Sequence, residues 1–573
     1  MNSQMPIYTE KTQCQDCYKC VRQCPVKAIK VQDGSAAVMP DRCVYCGTCV
    51  NVCPVGAKKV RDDLFRARLL VQRRPTVLVS LAPSYVSEFP GVAPAAMIHA
   101  LKALGFSGVS ETALGAQQVT GACADGLARD PGGLTISSAC PTAVEFIRKY
   151  HPERLPAVSR LVSPLLAHCR LLRREFGPEA GIVFIGPCIA KKLEADLNPR
   201  LLDVALTFAD LRRWFEDAGV DPAAGAAPED RFVPEAAAEG ALYPMDGGMI
   251  RGIRGGVPPS MHFMAFSGIP GIAEALKGLD GGAQGMFLEL LACEGGCVNG
   301  PQASRACGTA AKWLRVLDRF PGPAGPPAPP TLDLAAAVAE GPVAAPAHDA
   351  AELKRALRLV GKTTPEDELN CGGCGYDDCR SLAMALLDGR AEAGMCVSHL
   401  RKLALNKANA LIRAMPSGVV IADQSLAIVE CNRPFAEMMG PENLVVFEAR
   451  PGMEGASLAK VTPFAHLFRD ALEPDRGPVR KDLRVGDRVI RLMVFPIEPG
   501  HLAGGILQDI TEPAVVREHI IQKAQDVIRK NVSTVQQIAY LLGENAAETE
   551  LILGSIIESF QLPPAPKARE DAP

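Results

Sequence analysis

The chain has 573 residues, too many for one hydrophobic core, and at ~150 residues per domain three to five domains are expected. Apolar residues make up 48% and charged residues 22%, the balance of a globular protein, and a formal net charge of −3 gives no reason to expect a nucleic-acid partner. The opening stretch MNSQMPIYTEK has no apolar signal segment, and the longest uncharged run, 255–273, is broken by three prolines and four glycines, so a cytoplasmic protein without a membrane span is expected.

Twenty cysteines dominate the reading. Most are clustered two to four residues apart, which in a long chain without an export signal points to metal ligation rather than disulfides. Residues 1–63 hold the first group. Cys14, Cys17, Cys20 and Cys24 precede Pro25, and Cys43, Cys46, Cys49 and Cys53 precede Pro54, each set spaced C-x2-C-x2-C-x3-C-P. Two-residue gaps aim three thiolates at one cubane, while the fourth cysteine turns toward the other cluster. The expected sets are therefore Cys14, Cys17, Cys20 with Cys53, and Cys43, Cys46, Cys49 with Cys24. The doubled pattern resembles bacterial two-cluster 4Fe–4S ferredoxins; a zinc module would favour two separated pairs instead.

Residues 75–319 read as an α/β domain, with apolar strands at 76–81, 134–137 and 182–185 and helical patterns at 95–104 and 158–173. Three motifs lie far apart within it: Ser137-Ser138-Ala139-Cys140-Pro141, then Gly186-Pro187-Cys188-Ile189-Ala190-Lys191-Lys192-Leu193-Glu194, then Glu289-Leu290-Leu291-Ala292-Cys293-Glu294-Gly295-Gly296-Cys297. The first two follow strands directly, where open α/β sheets collect ligands. In order and spacing the three resemble the FeFe-hydrogenase patterns T-S-C-C-P, M-P-C-x-x-K-K-x-E and E-x-M-A-C-x-x-G-C. The resemblance implies an H-cluster, a 4Fe–4S cubane joined through a cysteine thiolate to a two-iron site that carries carbon monoxide, cyanide and a bridging dithiolate amine. By position, Cys140, Cys188, Cys293 and Cys297 would hold the cubane, Cys297 would bridge, Lys191 would donate to a cyanide, and Glu194 would orient that lysine.

The sequence departs from the pattern where protons move. Ala139 stands where efficient enzymes have a proton-relaying cysteine, Gly186 and Leu291 stand where they have methionines, and the helix after Glu111-Thr112 reads Val119-Thr120-Gly121-Ala122-Cys123-Ala124 in place of acidic relay residues. A positioned acid–base group contributes ~10²–10⁴-fold, so slow turnover is expected. Cys123 and Cys169 are candidates for another route, although each also reads as a small buried hydrophobe.

Residues 320–350 are rich in proline and alanine and read as a semi-rigid linker. The module 351–404 follows, with Cys371, Cys374, Cys379 and Cys396 spaced C-x2-C-x4-C-x16-C and glycines at 372, 373 and 375 that let the chain wrap a metal. It resembles the small 4Fe–4S modules found beside corrinoid proteins and in electron-transfer chains, with a zinc site as the alternative. Residues 405–512 resemble a PAS sensor domain, with the opening strand near Val419–Ile421, the Asn432 and Phe435 region, and a closing Asp509-Ile510-Thr511. No PAS ligand is assigned; His466 and His501 are weak haem candidates. Residues 513–573 read as helices with a Pro-rich tail, and apolar positions at Ile521, Ala524, Ile528, Val532, Val535, Ala539 and Leu542 offer a dimer seam or a face for the PAS domain.

The fold expected is thus a multidomain α/β and α+β chain: ferredoxin-like domain, H-cluster α/β domain, small 4Fe–4S module, PAS domain and C-terminal helices. Three 4Fe–4S clusters and an H-cluster are the expected cofactors. Dihydrogen and protons, a redox partner such as a ferredoxin, an unidentified downstream signalling protein and a second copy of the chain are the expected partners. The leading reading is a sensory FeFe-hydrogenase of low turnover; a catalytic hydrogenase with a regulatory tail and a non-hydrogenase iron–sulfur scaffold are the alternatives.

Overall fold

The computed structural model describes residues 5–511, apart from 280–284, 321, 323, 324, 345 and 474–476, together with 523, 527–529 and 531. The expected C-terminal helix and its apolar seam lie largely outside the described residues. The chain divides into two compact units, residues 1–392 and 393–573.

The first unit begins with a domain in which the two cysteine motifs repeat in backbone as well as in sequence. Each motif runs into a five-residue helix, Lys19–Gln23 or Thr48–Val52, through one left-handed residue, Tyr18 (φ 55°) or Gly47 (φ 77°). A left-handed tyrosine is unusual, because Cβ crowds the backbone there. At Gly47 the glycine is required twice over, since a Cβ would lie 2.4 Å from the Pro301 side chain. Strand Ile7–Thr9 pairs antiparallel with Lys58–Val60 and closes the domain.

Helix Leu64–Arg73 leads into a parallel four-stranded sheet ordered Gly108–Glu111, Val77–Leu81, Gly181–Gly186, Val204–Thr207. These strands are buried along nearly their whole length, as expected where helices cover both faces. A second parallel sheet is ordered His262–Ser267, Met286–Leu291, Leu134–Ile136. Expected strands therefore form, but the expected helix 158–173 does not start at 158. Val158 bridges Ile136, and the helix is Pro164–Phe176. Ser163 caps it by accepting from Leu166 N, and Pro164 fits the first turn because no intrahelical partner awaits its missing N–H.

Segment 320–350 has no helix before Ala350 and no long strand among its described residues, yet it is not free chain. Val162 N donates to Leu334 O at 2.9 Å, Ala336 N to Arg160 O at 2.9 Å, and Thr331 N to Gln118 Oε1 at 2.7 Å. Leu334 is buried. The segment is a strap laid on helix Ala113–Arg129, where a Cβ on Gly121 would lie 2.1 Å from Ala328 O. The apolar leucine among the prolines is what anchors it. After the strap, helices Ala350–Leu359 and Cys379–Leu387 pack through Ala356, Leu357 and Ala383.

The second unit opens with helix Val397–Ala414 and forms a five-stranded antiparallel sheet ordered Ile428–Cys431, Gly418–Asp423, Leu502–Asp509, Arg488–Glu498, Val479–Val485. Phe435 and Phe468 fill its core, and Gly505 leaves room for the Phe468 ring, which a Cβ would meet at 2.3 Å. His466 and His501 are exposed, so neither faces that core.

Candidate iron–sulfur and hydrogen site

The front cysteines group in space by charge. Cys20 lies within electrostatic range of Cys17, Cys14 and Cys53, and Cys49 within range of Cys46, Cys43 and Cys24. The fourth cysteine of each motif thus crosses to the other group. The crossing is symmetric: Ala28 N donates to Cys24 Sγ and Ala57 N to Cys53 Sγ, each at 3.2 Å. Burial pushes the Cys20 thiol up to about 11 and the Cys43 thiol to about 12, so neither ionises at neutral pH without a cation to offset its charge. Clustered soft thiolates in a buried pocket suit iron–sulfur clusters. Among the described residues no three His, Cys, Asp or Glu side chains converge tightly enough for a single metal ion.

The two sheets of the central domain meet at their carboxyl ends, and an apolar cavity of about 110 Å³ lies there. Ala82, Thr112, Cys188, Cys140 and Cys293, each just beyond a different strand, contribute to its wall. Such strand ends are where α/β sheets bind ligands. Cys297 and Lys191 complete a wall on which all four central cysteines and the lysine converge. Cys297 lies within electrostatic range of Cys140 and Cys188.

Lys191 Nζ donates to Glu194 Oε2 at 2.6 Å and to Ser163 Oγ at 3.2 Å. Burial works against its charge, but the Glu194 carboxylate beside it holds its pKa above the ordinary value. A charged donor is therefore held at the cavity wall. Ser163, absent from the sequence reading, supports the lysine and caps a helix at once; its place directly before a proline was the available signal.

The neighbouring Lys192 does different work. It is fully buried and donates to Asp63 Oδ2 at 3.1 Å and Asp210 Oδ2 at 3.0 Å. Asp63 also receives Arg61 Nε at 3.0 Å. Burial alone would raise the Asp63 pKa, but Lys192 and Arg61 hold it below the usual carboxylate range. We expect Lys192→Met to destabilise the first unit by about 3–5 kcal/mol, because it strips partners from buried carboxylates. Thermal unfolding checks this. A depressed folded pKa contributes stability that is complete above the unfolded value, ~4, and lost as pH falls through the folded value, so the variant is expected to lose part of the acid-range slope.

The departures from the hydrogenase pattern have visible structural correlates. A Cβ at Gly186 would lie 2.4 Å from Phe184 Cζ, so the Phe184 ring fills the space of the missing methionine. Leu291 and Ala139 both line the cavity. No acid stands at 119–124, and at Gly121 the strap leaves no room for one. Cys123 is buried in an apolar cluster, and burial pushes its thiol up to about 12. Cys169 is fully buried in the main core, its thiol also pushed up by burial. Both behave as small hydrophobes at neutral pH.

Two buried carboxyls were not singled out from sequence. Glu289 accepts from Met249 N at 3.3 Å and Ile250 N at 3.1 Å, and burial raises it to about 7. Glu111 accepts from Ala237 N at 2.7 Å and is likewise raised to about 7 by burial. Glu111 ends its strand and Glu289 opens the third cysteine motif, and these places were the signal available.

Cys46 and Cys293 also share a second, polar cavity of about 780 Å³, and Cys293 lies within electrostatic range of Cys46. The second front group thus abuts the central one. Helix Pro141–Tyr150, which starts just after Cys140, docks on the same front loop, Lys149 Nζ donating to Cys43 O at 2.7 Å and Tyr150 Oη to Arg42 O at 2.7 Å.

Family comparisons agree with this layout. The profile for the iron-only hydrogenase large subunit, C-terminal domain, matches residues 69–257; a 4Fe–4S dicluster domain matches 13–57, an Fe–S cluster family 367–398, and a PAS domain 406–475. The chain is an FeFe-hydrogenase-like iron–sulfur protein that carries a PAS domain. Among curated proteins it is similar to the periplasmic [Fe] hydrogenase large subunit of Nitratidesulfovibrio vulgaris, 28% identical over 212 residues, covering 29% of this chain and 50% of the relative. The chain therefore spans about half the length of that relative. Among solved structures, a variant of the [FeFe]-hydrogenase HydA1 from Chlamydomonas reinhardtii aligns over 46% of this chain and 91% of its own, at 20% identity and a TM-score of 0.39. The PAS domain of Bordetella pertussis BvgS aligns over 22% of this chain and 97% of its own, at 15% identity and a TM-score of 0.15. Among the described residues no helix is long and apolar enough to cross a membrane.

Proposed function

We propose that the protein is a sensory FeFe-hydrogenase that binds or slowly oxidises dihydrogen and reports through iron–sulfur clusters to its PAS domain. The observation that carries this reading is the cavity on which Cys140, Cys188, Cys293, Cys297 and Lys191 converge while Ala139 occupies the relay position. The cysteines would hold an H-cluster, which when bound supplies the iron chemistry that splits dihydrogen. Cys14, Cys17, Cys20 and Cys53 would hold one 4Fe–4S cluster, Cys24, Cys43, Cys46 and Cys49 a second, and Cys371, Cys374, Cys379 and Cys396 a third. Lys191, kept charged by Glu194, would donate to an anionic ligand held in the cavity, and the apolar wall of Phe184 and Leu291 would limit water. A wall without a titratable relay at 139 suits detection better than fast turnover, and the PAS domain suits reporting. A catalytic hydrogenase with a regulatory tail would need another proton route; an iron–sulfur scaffold without the two-iron site would have no use for a charged lysine at this wall.

Infrared spectroscopy tests the reading. Carbon monoxide and cyanide bands are expected in the matured protein, with about 18 irons per chain, against about 16 when the two-iron site is not inserted. A matured chain without those bands sinks the hydrogenase reading, and one holding half the iron or less sinks the cluster assignment.

A further inference from the structure

Sequence order alone sets the module of Cys371, Cys374 and Cys379 behind the hydrogenase-like domain. In space it lies elsewhere: it sits on the front domain. Arg390 O accepts from Val31 N at 2.9 Å, and Glu392 Oε1 accepts from Asp33 N at 2.7 Å, so the end of the module runs along strand Ile29–Gln32 and its turn. Gly375, directly after Cys374, is pressed on helix Lys19–Gln23, where an added Cβ would lie 3.0 Å from both Arg22 N and Val21 Cγ1. Val21 follows Cys20, and it is fully buried. Arg22 joins the two cysteine loops, with Nη2 donating to Cys17 O at 3.0 Å and Nη1 to Gly373 O at 3.5 Å. Lys27 pairs with Asp377 at 3.5 Å. Arg22 and Gly375 thus bring the module against the loop and helix of Cys17 and Cys20, the group that includes Cys14 and Cys53, while Val31, Asp33 and Lys27 hold it on the segment that follows Cys24.

The opposite end of the front domain meets the central pocket, through Cys46 beside Cys293 and Gly47 against Ile189 and Pro301. The four cysteine groups therefore follow one another as central pocket, second front group, first front group, module. We propose that the front domain is an internal bridge: electrons from the central pocket reach the module through both front clusters, and the module covers the surface around Cys17 and Cys20 that an external carrier would otherwise use. This rests on the hydrogenase reading for the source of electrons but not for the order of the clusters. Oxidising one dihydrogen yields two protons, released to solvent, and two electrons. Each 4Fe–4S cluster takes one electron, so one event reduces two clusters of the chain.

The order is tested on the full chain in two ways. In dithionite-reduced protein, with or without the two-iron site, electron paramagnetic resonance is expected to show magnetic coupling between the module cluster and a front cluster, lost in Cys14→Ala; coupling of the module cluster to the central cubane alone overturns the bridge. In matured protein, dihydrogen is expected to reduce the module cluster, and Cys14→Ala is expected to abolish that reduction while dithionite still reduces the module. Arg22→Glu, which keeps every cysteine, is expected to weaken the coupling and slow the transfer, and this covers the case in which Cys14→Ala does not fold. Module reduction by dihydrogen at the native rate in both variants overturns the proposal. If dihydrogen reduces nothing in the native protein but the front–module coupling is present, the hydrogenase reading fails and the bridge stands.

Discussion

Replacing Ala139 by cysteine is expected to raise hydrogen turnover, with the resting infrared bands hardly shifted because no ligand changes. Ala139 lies on the cavity wall one residue before Cys140, and its methyl group cannot carry a proton. A thiol there would stand next to the reacting site. A working acid–base group gives ~10²–10⁴-fold, and the gain here is expected to fall short of that range. The reason is the next step of the path: the buried face of helix Ala113–Arg129 offers Gly121, Cys123 and Ala124, none of them an acid, and burial keeps the Cys123 thiol neutral. Hydrogen-evolution assays on matured native and variant protein check this. Fast native turnover, matching an efficient producer, would remove the main argument for a sensor.

Cys297→Ser is expected to abolish the carbon monoxide and cyanide bands while the front clusters keep their paramagnetic signals. The geometry separates the roles of the last two central cysteines. Cys293 lines both the apolar cavity and the polar one shared with Cys46, whereas Cys297 lines the apolar cavity. The resemblance gives Cys297 the bridging role, its place on the apolar cavity is compatible with that, and serine oxygen is harder than sulfur and a poor bridge between irons. Its loop is rigidly set, because Gly296 adopts φ 89° and a Cβ there would lie 2.3 Å from Pro244 O. Full retention of the bands in Cys297→Ser would place the bridge elsewhere.

The sequence by itself determined the features that depend on local spacing. The C-x2-C-x2-C runs make a loop whose shape is set within ten residues, so the front groups, including the crossing of Cys24 and Cys53, were legible, as were the buried parallel strands and the PAS-like sheet. The three central motifs named the cysteines and Lys191, since each sits just past an apolar strand. Tertiary structure alone decided what depends on distant neighbours. Proline and alanine in 320–350 mark a segment without regular structure, but not that a buried Leu334 pins it down, nor that the Ala328 carbonyl lies against Gly121 and fills the space an acid would need. Two adjacent lysines look alike in sequence; the fold turns Lys191 to the cavity and Lys192 to Asp63 and Asp210. The module follows the hydrogenase-like domain in sequence, yet Val31 N donating to Arg390 O and Asp33 N to the Glu392 carboxylate set it on the front domain, because a strap long enough to cross one domain frees chain order from spatial order.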